Sequence, residues 1–179
     1  MATYTFSEFK TNFNNFSNSD INSIVKIPLA NGTIVNFDII GVNIHKEYDI
    51  ESNKYTDEKT ISLCLSKILE LQPFDAQGNP RWNICSLRQY LNNDYFNDFS
   101  EDVKNRIVSV KNITVIPEQY KQTADLNTIS KLFDITYDKV FIPSLTEINN
   151  TSYNFSLNNV DENDEFFAFP SEVNLMSSD

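Results

Sequence analysis

The chain has 179 residues, 25 acidic and 14 basic side chains, a formal net charge of −11, and 40% hydrophobic and 13% aromatic residues. This length suits one domain that buries about two-thirds of its unfolded surface with no disulfide or metal staple, and the apolar content excludes whole-chain disorder. The charge disfavours wrapping of DNA or RNA and adsorption to anionic membranes, because Lys and Arg supply both affinities.

Met1 to Lys10 holds no basic region ahead of an apolar run, and no stretch has the length to span a bilayer. Cytoplasmic synthesis without a signal peptide is the expectation. Phe6, Phe9, Phe13 and Phe16 recur at helical spacing, which predicts a short helix with four rings on one face in an N-terminal helical segment, 1–23. Such a face either docks on the domain's own core or forms an assembly contact with a neighbouring subunit.

A hairpin follows. Ile24 to Leu29 reads as one strand, Asn31-Gly32 as a type I′ turn, and Thr33 to Ile44 as the returning strand. Pro28 cannot donate to a ladder and points to an edge strand, while Gly41 marks a bulge. Lys46 to Lys59 is a polar loop, Thr60 to Leu65 another strand, and Asp75 to Pro80 a turn-rich connection. Leu87, Leu91 and Tyr95 give Ile84 to Phe96 a helical period. Ser100-Glu101-Asp102 starts a short helix to about Arg106. Ile107 to Ile116 and Val140 to Ile142 read as strands, and Ser144-Leu145-Thr146-Glu147 has the form of a capping box. The core α+β domain is thus 24–148, followed by an acidic, mostly irregular segment, 149–179, around Phe166, Phe167 and Phe169.

No catalytic constellation emerges. His45, the single histidine, sits at a strand end beside Lys46 and Glu47, where an exposed ring is expected. Cys64 and Cys85 lie far apart without a C-x-x-C pattern and read as buried free thiols. A nucleophile-elbow motif is absent, and 3 glycines build no phosphate loop. A glycosidase needs only two carboxylates at a suitable separation, and nothing singles out such a pair. Asp161-Glu162-Asn163-Asp164-Glu165 makes Asp161 and Asp164 candidate metal ligands, yet the run lacks EF-hand spacing and its turn glycine, so a solvated acidic tail is expected. No cofactor is expected.

Trp82 precedes the second helix, where its indole wedges under the helix start and its N–H needs a partner. Ser86 is placed to satisfy first-turn N–H groups. Arg88, flanked by Leu87 and Leu91, either pairs with a buried carboxylate or binds a ligand. Trp82 and Arg88 are therefore the candidate binding residues.

The run Trp82-Asn83-Ile84-Cys85-Ser86-Leu87-Arg88-Gln89-Tyr90-Leu91-Asn92 resembles the W-x-x-S-x-L-R-x-x-L-N core of an uncharacterised domain family of Gram-positive bacteria and their phages. Asp138-Lys139-Val140-Phe141-Ile142-Pro143-Ser144-Leu145-Thr146-Glu147 resembles that family's D-K-x-F-L-L-S-x-x-E block, and the resemblance covers roughly residues 24 to 148. The family is similar in pattern to C-type-lectin-like domains. This resemblance implies an α+β fold with helices packed around a small antiparallel sheet. The family's later W-W-L-R-S-P and G-V-R-P blocks are missing, and the tail around Glu165-Phe166-Phe167-Ala168-Phe169-Pro170 stands in their place.

The expectation is a non-catalytic binding or assembly module, a phage or prophage-derived structural protein of tail, baseplate or head decoration. It acts by contact with other structural proteins, with itself or with a host surface, not with nucleic acid or membrane. A monomeric lectin-like domain reading a cell-envelope glycan is the alternative, and a hydrolase using a carboxylate pair the second.

Overall fold

The structure, a computed structural model, describes residues 1–78, 81–115 and 133–143. Alternating apolar residues build its main sheet. Strand β2 (Ile24–Pro28) buries Val25 and Ile27, and β3 (Ile34–Val42) buries Val35, Phe37 and Ile39. The antiparallel register sets Val25 opposite Phe37 and Ile27 opposite Val35, so the two apolar rows share one face. Strand β6 (Ile61–Leu65) lies on the other side of β3, and β1 (Thr3–Thr5) adds to β2 in parallel, giving the order β1-β2-β3-β6. The fold class is α+β, with a mixed main sheet instead of the purely antiparallel one expected.

The N-terminal segment is built differently from the predicted single helix. Helix α1 spans only Phe6–Thr11 and starts at a capping box, in which Thr5 Oγ1 accepts the Glu8 N–H and Glu8 Oε2 accepts the Thr5 N–H. Phe13 sits in a following 3₁₀ turn and Phe16 in extended backbone. The rings therefore do not line one helix face. Phe6, Phe9 and Phe16 are buried in the chain's own core, with Phe13 half-buried against them. Phe9 meets Phe13 edge-on at 6.0 Å and Phe16 at 5.1 Å. The assembly contact expected of these four residues has little free ring surface left to use.

The β2–β3 turn also departs from expectation. Gly32 N–H donates to Leu29 O (3.0 Å), and only Gly32, at φ 84°, takes a positive φ there. This is a type I turn closed by a left-handed glycine, not type I′, which needs two positive φ values. Pro28 does not mark an edge strand: β2 is flanked on both sides, and Pro28 lies just past the end of its pairing with β1. The bulge at Gly41 is present as a register shift between Ile39 and Gly41. A Cβ on Gly41 would stand 2.6 Å from the Ile44 side chain, so glycine is what lets the chain turn back on itself there.

Within the polar loop a small ribbon forms, β4 (Tyr48–Asp49) with β5 (Lys54–Tyr55). The second helical run is continuous from α2 (Ser86–Tyr90) through a π turn at Leu91–Tyr95 to α3 (Phe96–Asp98), and α4 (Glu101–Lys104) follows. Tyr95, Phe99 and Val103 from this run join α1 in covering the sheet's apolar face. Ala30 N–H donates to Asp98 O, which ties the hairpin turn to the helices.

The last ribbon pairs β7 (Val110–Val115) with β8 (Phe133–Asp138). The strand expected at Val140 to Ile142 is not formed; it lies earlier in the chain. The ribbon's polarity is inverted. Asn112, Asp134, Thr136 and Asp138 are buried, whereas Ile135 is 52% exposed. Such a face is stable only if each buried polar atom finds a partner.

Candidate binding groove and its carboxylate anchor

The partners converge on Asp138, which is fully buried. Its Oδ1 accepts Arg88 Nε–H at 2.6 Å. Its Oδ2 accepts Trp82 Nε1–H at 2.9 Å, Asn112 Nδ2–H at 2.9 Å and the Thr136 hydroxyl at 2.6 Å. Arg88 also donates to the Asn83 carbonyl at 3.2 Å. One turn on, Asn92 accepts the Lys139 and Val140 N–H groups and donates to the Val140 carbonyl. The two blocks that carried the family resemblance thus meet physically. Trp82, Arg88 and Asn92 of the first bind Asp138 and its successors in the second.

This geometry places Trp82 and Arg88 in structural work. The indole N–H and the guanidinium Nε–H are both engaged on a carboxylate with no exposed surface. Ser86 does not cap its own helix. Its hydroxyl accepts the Ala76 N–H and its N–H donates to Asp75 Oδ1, while the Cys85 sulfur accepts the Arg88 N–H at the helix start. A parallel pair anchors the ribbon's far end, where Arg81 grips Asp134 through Nε (2.9 Å) and Nη2 (2.5 Å).

A large concavity lies elsewhere, between β6, the π turn and residues 139–143. It is an apolar groove of about 870 Å³. Every residue of Ile61–Leu65 lines it, together with Tyr90, Leu91, Tyr95, Val140 and Phe141. Its rim residues Ile68, Leu69 and Ile142 are exposed, Ile68 to 73%, and Leu71 beside them to 90%. Apolar surface gathered this way marks an interaction site more often than a free surface. Lys10, Lys59, Lys67, Arg106 and Lys139 stand around it, and among the described residues that line it Glu70 is the single carboxylate. Asp102, paired with Lys10 and 3.6 Å from Arg106, offsets part of that charge.

His45 belongs to this groove, contrary to the expected exposed strand end. It is 7% exposed, Nδ1 lies 2.7 Å from Ser62 Oγ, and the ring meets Phe141 edge-on at 5.0 Å. The bulge at Gly41 turns the end of β3 inward and carries His45 with it. Cys64 lines the groove half-buried, and burial with the Asp38 charge pushes its thiol up; Cys85 is fully buried and its thiol is also raised by burial. Opposite them, Tyr90 donates to Glu70, which raises its phenol to about 12. Burial and then the Asp98 and Glu70 charges lift Tyr95 to about 12.

Sequence reasoning found two of the anchor's four donors, Trp82 and Arg88, but neither Asn112 and Thr136 nor the acceptor, since Asp138 is one of 25 acidic residues. Nor did it find the groove, which joins segments far apart in sequence. Among the described residues no group of three or more His, Cys, Asp or Glu comes together as a metal site, and no helix is long and apolar enough to cross a membrane. Asp161 and Asp164, the capping box at Ser144 and the ring cluster at Phe166 lie outside the described residues.

Neither the curated proteins nor the solved structures contain a match to this chain. A family match does exist. It covers residues 58–174, beginning and ending later than the 24–148 that the two sequence blocks suggested, and it takes in the Asp138 anchor, β6 and the acidic segment. Spanning more than half of the chain, that match establishes that the protein belongs to the family described as domain of unknown function DUF6273.

Proposed function

We propose that the chain is a non-catalytic binding and assembly module that receives an extended polypeptide segment in its groove. One observation carries this reading: an apolar groove of about 870 Å³ bordered by five cations and by exposed Ile68, Leu69 and Ile142. The occupant that fits has apolar side chains for the floor and carboxylates for the rim. Strand β6 is the last strand in the described sheet, and strand addition along such an edge is a common way to hold an extended peptide. The resemblance to a bacterial and phage family suggests the setting, a phage or prophage-derived structural protein in a tail, baseplate or head decoration. The C-type-lectin-like comparison and the glycan-binding alternative rest on that resemblance alone.

The test uses a fluorescein-labelled peptide with the sequence of Asp161–Pro170, which has the required chemistry, and the full chain carrying F166S/F167S/F169S. Saturable anisotropy that weakens with salt and disappears with I68D/L69D supports the reading. Absence of saturable binding overturns it.

The hydrolase reading gains one observation, the His45–Ser62 contact inside the groove. A serine-reactive fluorophosphonate probe separates the two. The binding-module reading expects no labelling of Ser62, and labelling that S62A abolishes would establish an enzyme instead.

A further inference from the structure

Resting on the groove as the working surface, as the proposed function has it, we infer that β6 is a receiving edge with a fixed register. An extended segment of another protein pairs with Ile61, Leu63 and Leu65 as the next antiparallel strand, carrying apolar residues at every second position and a carboxylate at either end. The backbone shows which groups would receive it. The Thr60 carbonyl accepts the Asn43 N–H at 2.9 Å, and the Ser66 N–H donates to Asn36 O at 3.1 Å, so the even-numbered residues turn toward β3 at both ends of the strand. The extra residue of the bulge lies in β3, which leaves the alternation along β6 unbroken. The N–H and C=O groups of Ile61, Leu63 and Leu65 therefore point to the open edge, and among the described residues none of the six has a hydrogen-bond partner. All five residues of β6 are half-buried, and backbone groups so covered call for partners.

This edge is also unguarded. At the opposite edge of the sheet, β1 is 3 residues long and runs straight into α1. Strand β6 has 5 residues, Ile-Ser-Leu-Cys-Leu, with no charge, proline or bulge of its own to deter pairing. Ile61, Leu63 and Leu65 face the core beside Tyr90 and Leu91, so residues opposite them in an added strand enter the same apolar groove. The residues between lie on the side of Ser62 and Cys64.

Charge selects the occupant. Lys59 and Lys67 line the groove two residues beyond either end of β6, in the same parity as its apolar row. Lys59 donates to the Asn14 and Phe16 carbonyls at 2.9 and 2.6 Å, which fixes it at the strand's end without cancelling its charge. Carboxylates opposite these two lysines complete the match. The same lysines disfavour a second copy: two β6 strands paired antiparallel about Leu63 would set Lys59 of one against Lys67 of the other, and like charges directly opposite are destabilising.

The probe is a fluorescein-labelled peptide, ETVTVTVTE, titrated with the full chain and read by anisotropy. Saturable binding is expected. N-methylation of its three valines removes the donors that face Ile61, Leu63 and Leu65 and weakens binding about 100-fold, or about fivefold for each backbone bond lost. N-methylation of the two inner threonines, whose N–H groups point away from β6, changes affinity by no more than about threefold. K67E, at an exposed position, weakens binding about fivefold, as does about 0.5 M salt in the wild type. In hydrogen exchange, saturating peptide slows the Ile61, Leu63 and Leu65 amides by at least about tenfold and leaves Cys64, already paired with Asp38, little changed.

Equal affinity of the two N-methylated peptides overturns the inference while leaving polypeptide binding to the groove intact. Threonine methylation as the damaging change overturns the antiparallel register. Binding of the Asp161–Pro170 peptide but not of this one overturns the inference alone, and binding of neither overturns the proposed function with it. A dimeric mass by light scattering that peptide dissociates assigns the edge to a second copy and also overturns the inference.

Discussion

Removing the carboxylate at Asp138 is the sharpest perturbation of this fold. In D138A, four donors lose their acceptor at once: Arg88 Nε–H, Trp82 Nε1–H, Asn112 Nδ2–H and the Thr136 hydroxyl. An orphaned buried donor costs about 1–3 kcal/mol, and breaking a buried ion pair by deleting one partner costs about 3–5 kcal/mol. These do not add, because water can enter the vacated volume and the Arg88 side chain keeps 25% of its exposure. The expected loss is therefore about 4 kcal/mol, a large share of the 5–15 kcal/mol that holds a typical domain. D138N conserves volume but turns one acceptor into a donor facing other donors, so about 2–3 kcal/mol is expected of it. Urea unfolding followed by fluorescence of Trp82, the only tryptophan, reads both the global transition and the local site. Paired with R88M, the double variant should fall short of the summed losses by at least about 1 kcal/mol. A D138A midpoint within about 1 kcal/mol of wild type, with unchanged Trp82 emission, would falsify the anchor argument.

Four further outcomes follow from particular contacts. Tyr95 and Tyr90 both titrate at about 12 in the fold, above the usual phenolic range near 10. Their contribution is complete below pH 10 and is lost between about pH 10 and 12, where the unfolded chain gives up these protons and the fold does not. Alkaline unfolding should show a fall of about 2 kcal/mol attributable to Tyr95 and less from the partly exposed Tyr90; a flat stability profile between those pH values would contradict it. The buried Tyr95 hydroxyl has no hydrogen-bond partner among the described residues, so Y95F should match or exceed wild-type stability at pH 7 by up to about 1 kcal/mol, and a clear loss there would count against this environment. G41A drives a methyl group into Ile44, with an expected cost of about 1–3 kcal/mol in urea midpoint; tolerance of alanine would mean that the bulge has another geometry. F9A removes a ring buried against Phe13 and Phe16 and should cost about 3–5 kcal/mol without changing the molecular mass. A change of oligomeric state at unchanged stability would restore the subunit-contact reading of this segment.

How much of this was legible beforehand depends on whether the signal was local. The α+β class, the hairpin around Gly32, the bulge at Gly41, the strand at Ile61–Leu65 and the helical run beyond Trp82 all follow from alternation, helical period and turn chemistry. Each is set by neighbours a few residues apart. The demand of Trp82 and Arg88 for an acceptor was legible too, because a buried indole N–H and a largely covered guanidinium need partners.

Tertiary structure decided the rest. Strand β8 reads as polar, and only the arrival of Arg81, Arg88, Trp82 and Asn112 makes Asp134 and Asp138 bearable inside. His45 looked exposed because burial there depends on a bulge upstream and on Ser62 and Phe141 brought in from elsewhere. The rings of Phe6, Phe9 and Phe16 could face a core or a neighbour with equal local sense, and the sheet they meet settled the choice. The groove exists only where β6, the helical run and residues 139–143 come together. Periodicity reports which face of an element is apolar; which other element meets that face is a long-range property of the folded chain.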